Sequence, residues 1–404
     1  MIKKDIINTS AVNFAGVVIG FFQGVIIARH FGADGKGEIA FYLSLYSLIF
    51  SISNLGVKQS ASYFLTENKV TYKGLRTLFY FSNIFGLLVL TSSFLIQQLQ
   101  FDSFYLILLL TLPFALFNTI FSSISLSKRE ITKINILKLL SLFTVFILVF
   151  ILFFILKDQN IELFFVIHLI SHFICSIYVY KNILCKYQND LFFKNKNNFK
   201  ELKLILLKGI TYCMPLFIYG INYKIDLLIL PKYVTNYDIG VYSLGAGFAE
   251  MIWLIPSVLS VVIFSYSISD NNSKEFSLKI WSNTKKMMLI LLPLLSIFWI
   301  IIYFFIPILY GPEFNESSFI TLILLPGTYL IIAFNTLNAD MAGKGMPMKG
   351  VFVFSIGAII NIILNINFIP DYGIIGSAIA SSISYTFSAI IYVKIYHNNL
   401  IKLK

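Results

Sequence analysis

Twelve apolar stretches, each long enough for a membrane-spanning helix, follow one another through the chain and are separated by short polar gaps. They run over about 8–29, 38–65, 77–97, 103–126, 134–156, 161–181, 205–231, 239–268, 283–308, 318–341, 348–368 and 375–397. A hydrocarbon layer of roughly 30 Å takes about 20 helical residues, whereas a barrel strand needs about half as many. The pattern therefore predicts an all-α membrane protein of twelve transmembrane helices, with no soluble domain left over.

The polar gaps orient these helices. With the N-terminus placed inside, 25 of the 31 Lys and Arg residues fall in alternate, inner segments, meaning the inner gaps and the span ends that border them. Four fall in outer gaps (Arg29, Lys36, Lys157, Lys232) and two, Lys58 and Lys224, within spans. This is the positive-inside distribution, and it puts both termini in the cytoplasm. The net charge of +12 is thus accounted for by topology, and no nucleic-acid partner is expected. A hydrophobic share of 58% and a mean hydropathy of +0.82 exclude an ordinary soluble domain. No cleavage site of small residues follows the first stretch, so it is expected to stay as a span. Cys175, Cys185 and Cys213 are scattered and suggest neither zinc nor a redox pair.

The longest gap, 182–204, lies at the midpoint and reads as a basic cytoplasmic linker near anionic headgroups. It divides the chain into an N-terminal six-helix bundle, 1–181, and a C-terminal one, 205–404. A repeat is visible across it: Gly37 follows the first span and Gly240 the seventh, 203 residues apart. Six passes return the chain to its starting side, so the repeat is parallel. Prolines at 113, 215, 256, 293 and 326 lie inside spans. Each removes a backbone donor and favours a kink, for packing or for motion.

Several chemistries are not signalled. Gly343-Lys344-Gly345 lacks the remaining residues of a nucleotide-binding loop. The outer gaps are short and poor in carboxylates and histidines, which argues against a polymerase or ligase. His168 and His172 share a helix face but have no evident third ligand, so no metal site and no catalytic residue are expected.

Charge inside a bilayer is expensive, and each instance calls for an explanation. Arg29, Lys58, Lys224, Asp226 and Glu250 stand out, all on the first two spans of a half. In one reading they neutralise one another or reach toward headgroups, with Lys224 pairing Asp226 or Glu250. In the other they line a hydrated, net cationic cavity for an anionic substrate head. Gln23, Asn54 and Asn222 would add hydrogen-bonding groups for sugar hydroxyls, as would Asn83, Asn118, Asn335 and Asn338. Asp226 and Glu250 are then candidates for coupling to an ion, H+ or Na+.

Several segments together resemble the Wzx-type polysaccharide flippases. They are Arg29-His30-Phe31-Gly32-Ala33-Asp34-Gly35-Lys36-Gly37, Asn54-Leu55-Gly56-Val57, Asp226 followed by Gly240-Val241-Tyr242-Ser243, and Tyr310-Gly311-Pro312-Glu313-Phe314. Asn361 and Ile369-Pro370-Asp371-Tyr372-Gly373-Ile374-Ile375-Gly376-Ser377-Ala378 complete the series. The resemblance implies the MATE-like fold of the multidrug/oligosaccharidyl-lipid/polysaccharide (MOP) exporter superfamily. It implies a transporter, not an enzyme: a flippase in the bacterial inner membrane that moves undecaprenyl-diphosphate-linked oligosaccharide, an O-antigen or similar repeat unit of lipopolysaccharide biosynthesis. Arg29, Lys58 and Lys224 would face the diphosphate or acidic sugars. A polysaccharide polymerase and glycosyltransferases would be its partners. A MATE-type cation-coupled multidrug exporter is the alternative on the same fold, though that class favours an acidic cavity.

Overall fold

The computed structural model describes residues 2–67, 69–97, 103–187, 198–269 and 274–402; residues 188–197 of the expected linker, with Lys194 and Lys196, lie outside them. The described chain is helical almost throughout. Its helices are α1 (Ile2–Asn54), α2 (Val57–Thr66), α3 (Tyr72–Gln97), α4 (Ser103–Ser127), α5 (Ile131–Phe150) and α6 (Ile161–Val179). They continue as α7 (Asn198–Ile229), α8 (Asn236–Glu250), α9 (Leu254–Ser269), α10 (Lys274–Leu309), α11 (Asn315–Gly343) and α12 (Pro347–Lys402). Among the described residues, eight helical stretches are long and apolar enough to cross a membrane, or nine if a pair bent by 48° around Pro215 is one span.

Two of these stretches are too long for one crossing. At about 1.5 Å per residue, α1 and α12 would each exceed twice the hydrocarbon thickness. Each is broken by a glycine with positive φ: Gly32 (φ 67°) in α1 and Gly373 (φ 53°) in α12. Other backbone residues rarely adopt that conformation. The new helix that starts after Gly32 is capped from a distance, because the Ala33 N–H donates to Glu313 Oε2 at 3.2 Å. A carboxylate suits the positive end of a helix.

Two of the expected spans are interrupted where the sequence shows an unbroken apolar run. The stretch 38–65 breaks at Leu55 (φ 48°) and Gly56 (φ 63°), and α2 starts afresh at Val57. The stretch 239–268 breaks at the 3-10 turn Met251–Trp253. Lys58 and Glu250 sit at these two breaks.

The chain forms two compact units, Met1–His30 with Leu45–Phe217, and Phe31–Ser44 with Ile218–Lys404. These limits differ from the expected 1–181 and 205–404. Close helix crossings supply the reason. Residues 31–44 follow Gly37, which packs directly on the backbone of Asn236 and Gly240. The first part of α7 follows Gly209, whose neighbour is the Leu55 carbonyl.

In the first unit α4 is central, packed on α2, α3 and α6. Its core joins Val57, Leu75, Leu112, Leu116, Ile120, Val179 and Ile205. Polar contacts are internal to it: Asn118 Nδ2 donates to the His172 carbonyl at 3.0 Å, and Ser176 Oγ donates to Asn118 Oδ1 at 3.0 Å. Glu201, 2% exposed, accepts from the Thr71 N–H and hydroxyl at 2.8 and 2.9 Å.

In the second unit α11 is central, packed on α8, α9, α10 and α12. Phe334, Leu337, Phe354, Tyr385, Tyr392 and Tyr396 build its core. Thr235 and Asp238 form a capping box at the start of α8, which satisfies the orphan N–H groups there.

Each unit also carries a cluster of an acid, a tyrosine and lysine. In the first, Glu130 pairs with Lys133 at 2.8 Å and accepts from Lys186 at 3.0 Å and from the Tyr187 hydroxyl. In the second, Asp340 pairs with Lys344 at 3.4 Å and accepts from Ser267, Ser277 and Tyr396 at 2.6–2.7 Å. The second cluster is sealed, with side-chain exposures of 3% for Lys344 and 1% for Asp340. The sequence places Lys344 in an inner gap and does not single out Asp340 among the charges within spans. The structure corrects both: α11 runs past the apolar stretch, and neighbouring helices enclose its last turn.

Candidate functional site

The densest buried polar cluster lies in the second unit and is built on α7. Asn222 and Asp226 are four residues apart, so they share one helix face. Both point into the unit; Asn222 is 0% and Asp226 3% exposed. The Asp226 carboxylate accepts from the Tyr242 hydroxyl on α8 and from the N–H of Leu227 at 2.8 Å.

From Asn222 the polar path continues into α12. Asn361 Nδ2 donates to Asn222 Oδ1 at 3.2 Å, and the Ser384 hydroxyl donates to the same oxygen at 3.3 Å. The Tyr385 hydroxyl donates to the Asn222 carbonyl at 3.3 Å. Asn365, one turn from Asn361, donates to its carbonyl at 3.0 Å and accepts from Ser377 at 2.8 Å. Small residues let the helices approach: a Cβ at Gly357 would collide with Ser388. This is how polar side chains become mutual partners inside apolar helices.

Beside Asp226 is an enclosed cavity of about 10 Å³, lined by Asp226, Tyr242, Glu250, Leu324, Thr328 and Tyr385 among others. That volume is at the lower bound for a single water. Two acidic residues, two tyrosines and a threonine are thus among the residues that line a space of atomic size. Oxygen donors of this kind suit a hard cation or an exchangeable proton. Among the described residues no group of three His, Cys, Asp or Glu side chains converges.

The structure brings together Asn222, Asp226 and Glu250 of the sequence candidates. Lys224 is half-buried on α7 and within electrostatic range of Asp226. No ion pair joins it to Asp226 or Glu250 among the described residues; the Tyr242 hydroxyl and the Leu227 N–H meet the carboxylate instead. Arg29 is exposed, and Gln23, Asn54 and Lys58 are half-buried, all in the first unit. Asn54 Oδ1 is buried without a hydrogen-bond partner. Three of the other amides hold helices together or turn back on their own helix. Asn118 bonds α6, Asn83 donates to the Phe79 carbonyl at 2.8 Å, and Asn338 accepts from Tyr392 at 2.9 Å.

Asn365, Ser381, Ser384 and Tyr385 were not anticipated as site residues. A signal for them exists: Asn361 and Asn365, then Ser377, Ser381, Ser384 and Ser388, recur at three- and four-residue steps on otherwise apolar helices.

Long apolar helices around a buried polar cluster define a multi-pass membrane protein. Over residues 2–266 the chain matches the family described as "Polysaccharide biosynthesis protein", and it belongs to that family. A probable low-salt glycan biosynthesis flippase of Haloferax volcanii, Agl15, is 22% identical over 184 residues. That match covers 44% of this chain and 38% of the relative, well under half of the relative's length. Among solved structures, the lipid II flippase MurJ in an inward closed conformation has a TM-score of 0.76 at 18% identity, covering 96% of this chain and 87% of that one. An inward-facing multidrug resistance MATE family transporter of the MOP superfamily has a TM-score of 0.72 at 12% identity, covering 96% and 95%. The fold is the one these transporters share.

Proposed function

We propose that this protein is a flippase for a lipid-linked glycan, a transporter and not an enzyme. The observation that carries the reading is the Asp226 cluster, a sealed charged and amide-rich network inside apolar helices, in a chain of the polysaccharide biosynthesis family. Such a network is costly in lipid and calls for a role. In this reading the chain crosses the bacterial inner membrane twelve times, with both termini cytoplasmic, and works as two six-helix halves joined near 182–204. The substrate is an undecaprenyl-diphosphate-linked oligosaccharide such as an O-antigen repeat unit. Arg29, Lys58 and Lys224 meet its anionic head, and Gln23, Asn54 and Asn222 offer polar contacts nearby. Asp226 and Glu250 take up and release the coupling ion, H+ or Na+. A polymerase and glycosyltransferases of the same polysaccharide act before and after it.

The break at Leu55–Gly56, where the backbone leaves the helical region, supports this reading. Discontinuous spans are where transporters bind substrates and ions, because unwound backbone groups become available there. Complementation of a flippase-null strain tests it. Lys224→Glu or Arg29→Glu should abolish surface polysaccharide while the protein still inserts. Retained polysaccharide would overturn the site assignment, and a drug-resistance phenotype with no polysaccharide phenotype would overturn the substrate class.

A further inference from the structure

Where α3, α4 and α6 of the first unit meet, a groove of about 570 Å³ opens. Its walls are Phe79 of α3, Pro113, Phe114 and Phe117 of α4, and Ile177 of α6. That volume falls within the usual range of small-molecule sites, roughly 300–1,000 Å³. Two local irregularities shape it. Pro113 interrupts the hydrogen-bond ladder of α4, which tends to bend a helix away from its neighbour. The turn Tyr180–Leu184 is π-helical, a widened turn frequent at functional sites.

The groove has a polar end. Lys181 and Tyr180, both in the π-helical turn, line it there and are exposed. Lys73 and Arg76, near the start of α3, are also exposed and precede Phe79 by one to two turns, which adds positive charge toward the same end. The remaining polar lining group, the Ser176 hydroxyl, is already engaged, 3.0 Å from Asn118 Oδ1 and 2.9 Å from the His172 carbonyl. An aromatic and aliphatic trough ending in a lysine matches one kind of occupant, a hydrocarbon chain bearing a negatively charged head. Basic residues at the inner end of spans attract anionic lipids in this way.

We propose that this groove is a binding site for an anionic glycerophospholipid, one acyl chain lying along Phe79, Phe114 and Phe117 with the headgroup phosphate on Lys181. The site is separate from the Asp226 cluster and does not rest on the flippase reading.

Native mass spectrometry of the delipidated full chain, titrated with dioleoylphosphatidylglycerol or dioleoylphosphatidylcholine, tests it. The wild type should retain one phosphatidylglycerol in preference to phosphatidylcholine. Lys181→Glu should weaken phosphatidylglycerol roughly tenfold and leave phosphatidylcholine unchanged. Ile177→Trp, which fills the groove, should weaken both lipids while thermal unfolding stays cooperative. Lys394→Glu, an exposed lysine of the second unit, should behave as wild type. Equal retention of the two lipids by the wild type, or an unaltered Lys181→Glu variant, would overturn the proposal. So would displacement of the bound phosphatidylglycerol by one equivalent of undecaprenyl phosphate, which would make the groove a seat for a polyprenyl chain.

Discussion

Gly37 and Gly240, which the sequence marks as repeat-related, lie against one another in the second unit. A Cβ on Gly37 would overlap the Asn236 carbonyl, and a Cβ on Gly240 would overlap the Ala33 carbonyl. Each glycine thus faces the carbonyl four residues before the other. The contact is reciprocal, as a pair of repeat-related helices crossing about a local two-fold would make it.

This crossing has no room for a methyl group. Gly37→Ala and Gly240→Ala should each destabilise the protein by about 1–3 kcal/mol, the usual range for overpacking. Gly20→Ala and Gly247→Ala, where the added carbon meets nothing within 4 Å, should be neutral or slightly stabilising. Thermal unfolding in detergent separates the two pairs. Equal melting temperatures for all four variants would contradict the crossing.

Asp340 and Lys344 form a sealed ion pair, so removing one partner strands the other. Asp340→Ala should cost about 3–5 kcal/mol, whereas Asp340→Leu with Lys344→Met should recover most of it. Tyr396→Phe removes one bond to the carboxylate and should cost about 1.5–3 kcal/mol. Denaturation midpoints of the three variants check the order.

Asp226→Asn keeps shape but removes charge. If Asp226 carries the coupling ion, the variant should insert normally and lose at least about tenfold in polysaccharide output. Tyr242→Phe should lose less in output while lowering stability, because a bond to a charged group is worth roughly 1.5–3 kcal/mol. Surface-polysaccharide blotting beside membrane abundance tests both.

Glu130 lies in the polar turn between α4 and α5. Partial burial disfavours its charge, but bonds from Lys133, Tyr187 and Lys186 outweigh that and hold its pKa at about 2, below the ordinary carboxylate value. A depressed pKa stabilises the fold above the unfolded value, near 4.5, and the contribution disappears as pH falls to about 2. The stability difference between wild type and Glu130→Gln should be constant above about pH 5 and shrink between about pH 4.5 and 2. A pH series of melting temperatures tests the window. A difference unchanged at pH 3 would refute the network.

Most of the helical content was legible because hydrophobicity alone marks a span, and a run of twenty apolar residues has few other readings. The breaks at Leu55–Gly56 and after Glu250 were not, since Val57 and Ile252 look like ordinary span residues on either side of them. Gly56 turns where it does because Gly209 presses on it, a contact far away in sequence. Asp226 was legible as a charge out of place. Its surroundings were less so: Asn361 and Ser384 become partners of Asn222 only when α12 folds back on α7. Asp340 escaped notice because it ends an apolar run, where a carboxylate ordinarily meets water.

The ladder of Asn222, Asn361, Asn365 and Ser377 also bears on how the protein is made. α7 carries an asparagine, a lysine and an aspartate, and its two parts, bent by 48° around Pro215, are long and apolar enough for a span only when taken together. The amide that donates to Asn222 Oδ1 is 139 residues downstream. The polar face of α7 therefore lacks its α12 donors until α12 has been made.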